Sequence, residues 1–115
     1  NVTSIYGKTM GAALGTTVTT TILTCPANKV LKINTIIVAN VDGTNAADAT
    51  VQFFDNSAGS SRHLAKTISV PADSTLVVIS KDTAIYLEES DQIRAGASAS
   101  SDLEIVISYE ELDDA

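Results

Sequence analysis

The clearest periodicity in the chain lies near its C-terminal end. Leu103, Ile105, Ile107 and Tyr109 share one parity, while Glu104, Ser108 and Glu110 fall on the other. A period of two sends successive side chains to opposite faces of an extended chain, so this stretch predicts a strand with one buried face. Leu31 and Ile33 alternate with Lys32 and Asn34 in the same way; Ile36, Ile37 and Val38 are then apolar on both parities. That predicts a strand half exposed at its start and buried on both faces at its end. Leu64, Ile68 and Val70 repeat the alternation with Lys66 interrupting, and residues 76–79 form a short continuous apolar run. CPANK, VDGTNAAD, DNSAGSS, VPADS, SKDT, EESDQ and GASASSD separate these segments, and each carries the Pro, Gly, Asn, Asp or Ser that turns require.

Strands are therefore predicted at about 17–24, 29–40, 48–55, 62–70, 74–80, 84–88, 91–95 and 102–110. Threonine, valine and isoleucine recur throughout, which favours extended structure over helix. Eight short strands with tight connections imply an all-β sandwich or barrel, and a single jelly-roll-like antiparallel sandwich is the fold expected. CPANKVL at 25–31 and VPADSTL at 70–76 echo each other, each predicting a strand end, a sharp turn on Pro-Ala-Asn/Asp, and a new strand. The segment VDGTNAAD reads as a hairpin connection between the second and third of these strands, with Asp42-Gly43 supplying a tight turn.

Residues 1–15, NVTSIYGKTMGAALG, lack sustained periodicity and hold three of the six glycines. They are expected to form an extended N-terminal arm ahead of a sandwich domain at 16–115. Ile5, Tyr6, Met10 and Leu14 are the apolar side chains with which such an arm would dock on a neighbour, and so are the candidate partner-contact residues.

Composition narrows the function. At 115 residues the chain is expected to be one domain, burying roughly 65% of its unfolded surface. A single cysteine excludes an internal disulfide. No apolar run approaches the ~18 residues that span a bilayer, and no basic-then-apolar leader pattern is present, so a soluble, unexported protein is expected and a membrane partner is not. The formal net charge of −7 opposes phosphate backbones, which argues against nucleic acid as a partner. The tail YEELDDA reads as a solvated acidic end.

Candidate chemistry is thin. GKT at 7–9 lacks the Gly five residues earlier that a phosphate-binding loop needs. His63, the only histidine, and a distant Cys25 cannot make a zinc set. Asp42, Asn45 and Asp48 are spaced three apart, and an EF-hand count from Asp42 puts Phe53 where a bidentate Glu belongs. Glu88, Glu89 and Asp91 sit between predicted strands as a turn. No nucleophile, base and orienter can be named together, so no catalytic residue, metal or cofactor is expected.

The segments YGKTMG, PANKV, IIVANVDGTNAADATV, HLAKTISVPADSTLVVI, AIYLEESDQIRA and DLEIVISYEE together resemble a family of small virion structural proteins of tailed bacteriophages, particularly those of marine bacteria and cyanobacteria. The resemblance implies a non-enzymatic β-sandwich in assembled particles. The expected role is capsid decoration or cement, partnering the major capsid protein or other virion subunits, made in the host cytoplasm and assembled as a homo-oligomer, with a trimer favoured. A tail, neck or baseplate position is the alternative within that class, and a host-surface glycan-binding module the alternative outside it. The scarcity of aromatic residues weighs against the latter.

Overall fold

A computed structural model describes residues 4–113. It contains nine strands: β1 (Ile5–Ala13), β2 (Thr21–Thr24), β3 (Lys29–Asn40), β4 (Ala47–Asp55), β5 (Ser60–Val70), β6 (Thr75–Ile79), β7 (Ile85–Leu87), β8 (Gln92–Ala97) and β9 (Leu103–Asp113), with one 3₁₀ turn at Lys81–Thr83. One sheet runs β1-β9-β3-β6, with β7 continuing the β6 side of β3; the other runs β2-β8-β4-β5. All pairings are antiparallel. First strand pairs with last, second with second-last, third with sixth and seventh, and fourth with fifth. This is a long hairpin rolled on itself, the jelly-roll wrap.

The core is asymmetric in side-chain size. From the first sheet Leu31, Ile33, Ile36 and Val38 of β3 and Leu103, Ile105 and Ile107 of β9 point inward, all nearly inaccessible. Opposite them β4 and β8 present Ala49, Val51, Ile93, Ala95 and Ala97. Large residues against small ones let the layers interdigitate, and each fully buried Leu or Ile contributes about 1.5–3 kcal/mol relative to exposure. The alternation in β9 matches the sequence pattern. In β3 the expected burial of both faces gives way to a register shift between Ile33 and Thr35, which re-phases the strand so that Ile36 and Val38 face the core and Ile37 faces outward against Val77 and Val106.

All eight predicted strands exist, and the ninth is β1. Where an arm was expected, residues 5–13 form an edge strand paired along their whole length with β9, from Ile5 opposite Leu112 to Ala13 opposite Glu104. Glycine is tolerated there because an edge strand packs on one side only. β2 is shorter than predicted because residues 16–19 leave the line of β8 and lie on the outer face of that sheet, where Gln52 Nε2 donates to Val18 O at 3.2 Å. Gly96 makes that approach possible; a Cβ there would stand 2.6 Å from Val18 Cα and 2.8 Å from Thr17 O.

The VDGTNAAD segment joins strands of different sheets, so it is a crossover and not a hairpin, and Asp42-Gly43 forms no tight turn with positive φ. Buried Asn40 holds it: Nδ2 donates to Asn45 O and Val70 O, both at 2.9 Å, and Oδ1 accepts from Asp42 N at 2.8 Å. The Pro-Ala-Asn/Asp echo is structural. Asn28 (φ 61°) and Asp73 (φ 59°) both adopt the left-handed conformation that Asn and Asp tolerate. Both corners lead from the β2-containing sheet into the other sheet, β2 to β3 and β5 to β6.

Candidate interaction surfaces

Of the four candidate contact residues, the fold leaves two available. Ile5 and Tyr6 are 60% and 53% exposed. Met10 packs against the core and Leu14 is sealed within it at 1% exposure. The register explains the division. Tyr6, Lys8, Met10 and Ala12 share the parity that β9 presents to the core; toward the Ile5 end that face becomes polar, with Lys8 Nζ 3.3 Å from Glu111 Oε1 and Lys29 paired to Asp113. The Asp113 carboxylate holds the Lys29 ammonium above its usual pKa. On the outer face, Ile5, Leu112 and Val30 stand in one cross-strand row, an apolar patch at the end of a three-strand ribbon.

A second surface was not legible in the sequence, because it joins strands distant along the chain. β5 and the β6–β7 line are the outermost strands of their sheets on the side opposite β1 and β2. Between them run hollows of about 490 and 150 Å³ that meet at Leu64. Their walls carry Ile68, Val77 and Tyr86, at 41%, 59% and 57% exposure. His63 lies here, exposed on β5 beside Lys66 and Arg62.

Most of the remaining polar features hold turns. Lys8 of GKT lies within β1 and pairs with Glu111. Asp42 Oδ1 accepts from Thr44 N at 2.9 Å, and Asn45 Nδ2 lies 3.4 Å from its Oδ2. Thr44's amide, followed by those of Asn45, holds the Asp42 carboxyl below its usual range. Asp48 is instead at the start of β4, where its backbone N–H donates to Ser98. Within EESD, buried Asp91 accepts from the backbone N–H of Asn56 and of Glu88, each at 2.9 Å, tying two turns together. Glu89 accepts from Asn28 N at 3.0 Å, joining this turn to the first Pro-Ala corner. Cys25 is buried, and desolvation, reinforced by Asp91, Glu111 and Glu89, pushes its thiol up to about 11. Among the described residues no three His, Cys, Asp or Glu side chains converge as metal ligands, and no buried side-chain N or O lacks a hydrogen-bond partner.

No protein-family model, curated protein or solved structure matches the chain.

Proposed function

We propose that this protein is a non-enzymatic structural component of a bacteriophage virion, serving as a capsid decoration or cement protein on the head shell. The observation that carries the reading is where the apolar surface lies. Of the seven large hydrophobic side chains that stand out as exposed among the described residues, five are on strands bordering the sandwich: Ile5 and Tyr6 on β1, Ile68 on β5, Val77 on β6 and Tyr86 on β7. Exposed apolar groups along sheet borders suit contact with neighbouring subunits. The polar groups that could suggest chemistry are engaged in corners and turns, as Asn40, Asp42 and Asp91 illustrate. The sequence resemblance supplies the virion context. A jelly roll alone does not, because the same wrap serves capsid proteins, lectins and cupins.

In this reading the sandwich is a rigid wedge bridging copies of the major capsid protein. Each contact is weak, and repetition over a symmetric shell makes the set strong. The Ile5–Leu112–Val30 patch is the surface through which copies associate with one another, as a cyclic trimer. Add-back tests the role. Shells prepared without the protein are heated with a DNA-binding dye, with and without purified protein restored. Restoration is expected to raise the temperature of genome release; an unchanged release temperature at saturating protein counts against a cement role.

A further inference from the structure

Along the side of the sandwich away from β1, β5 and the β6–β7 line each have one backbone edge with no strand beside it among the described residues. The groove between these edges is apolar within: Leu64, Leu76, Val78 and Ile85 are half-buried in it, and Ile68 and Val77 are open to solvent. Its rim has the opposite charge to the protein as a whole. Arg62 and Lys66 line it from β5, with His63 between them. Between Ser60 and Ile79 the only acidic residue is Asp73, at the corner beyond the groove. No ion pair among the described residues engages Arg62 or Lys66. On a chain of net charge −7 this is a local inversion of sign.

We propose that this groove receives an extended strand from a partner protein, in which apolar side chains alternate with Asp or Glu. In such a strand one face would fill the apolar seam while the other met the cationic rim, and its backbone would pair with a free sheet edge. The register shifts of β5 and the positive φ of Thr67 (53°) break that edge into short stretches. The occupant is accordingly short, spanning roughly 20 Å from Arg62 to Ile68. A second copy docking β5 on β5 would bring Arg62 and Lys66 toward their own counterparts; like-charge repulsion disfavours that pairing and selects an acidic partner.

The probe is a fluorescent eight-residue peptide alternating valine with aspartate and glutamate, compared with one alternating valine with lysine. Each is titrated into isotope-labelled protein to millimolar concentration and followed by anisotropy and amide chemical shifts. The acidic peptide is expected to bind, with shifts confined to β5, β6 and β7. Arg62→Glu with Lys66→Glu is expected to weaken it at least about tenfold, and to admit the lysine peptide instead. Arg62 and Lys66 are exposed, so the variant should keep the wild-type melting temperature; Lys66→Glu alone repeats the test with a smaller change. Absence of binding, shifts along β1, equal binding of both peptides to the wild type, or equal binding of a thymidine oligonucleotide would overturn the proposal. It rests on the groove alone, so these outcomes leave the virion reading untouched, as failure of shell add-back leaves this one.

Discussion

Replacing Gly96 by alanine should damage this fold far more than its chemistry suggests. The added Cβ would stand 2.6 Å from Val18 Cα, 2.8 Å from Thr17 O and 2.9 Å from Thr17 C. All three are backbone atoms, so no side-chain rotation relieves the clash. The 16–19 segment cannot slide aside, because Ala97 N donates to Gly15 O at 2.8 Å and Ala95 N to Thr20 O at 3.0 Å, pinning both its ends to β8. The remaining route is for the segment to lift, breaking the Gln52–Val18 hydrogen bond and wetting Gln52, which is 6% exposed. Overpacking costs about 1–3 kcal/mol, and the lost hydrogen bond about 0.5–1.5 kcal/mol. Stiffening of the unfolded chain returns about 0.4–1 kcal/mol. The net loss is about 2 kcal/mol, or a Tm lower by roughly 8 °C for a domain of this size. Gly7→Ala is the control, since no atom lies within 4 Å of its Cβ position. Thermal unfolding followed by circular dichroism should show Gly7→Ala within about 2 °C of wild type. If Gly96→Ala melted alongside Gly7→Ala, the packing of residues 16–19 on β8 would be wrong.

Two further outcomes follow from the corners. Asn40→Ala should cost about 2–3 kcal/mol in denaturant unfolding by stranding Val70 O and Asn45 O, and Asn40→Asp should fare no better because a carboxylate cannot donate to either; full stability in Asn40→Asp would refute the donor role. Cys25 should resist a disulfide reagent at pH 8 until the protein unfolds. Burial raises its folded pKa from the ordinary thiol value of 9.0 to about 11, so the stability this burial confers is complete below pH 9 and is lost as pH rises toward 11. Cys25→Ala should shrink the decline in stability between pH 9 and 11, leaving the part that Lys29 and other alkaline groups contribute; a native thiol that reacts freely would contradict it.

Strand existence was legible because turn residues punctuate the chain at short intervals and because β9 alternates cleanly. β1 escaped because its inward parity, Tyr6, Lys8, Met10 and Ala12, changes from polar to apolar along the strand, while its outward parity carries Gly7 and Gly11. Only the pairing with β9 makes it a strand, and pairing is non-local. The same limit applies to the VDGTNAAD segment: its Asp-Gly pair suggests a hairpin, but Asn40 and the partition of β3 and β4 between sheets make it a crossover. Of the candidate contact residues, solvent contact at Ile5 and Tyr6 and burial at Leu14 could not be separated without that register. The β5–β6 groove left no sequence signal beyond the absence of acidic residues over 60–72.

Imaging of the intact particle bears most directly on the central claim. A reconstruction with this protein tagged, together with its copy number from quantitative mass spectrometry of purified virions, is predicted to place on the order of hundreds of copies on the head shell, clustered at capsid symmetry axes. Absence from purified particles would contradict the virion reading outright, and a density confined to the tail axis would contradict the decoration role.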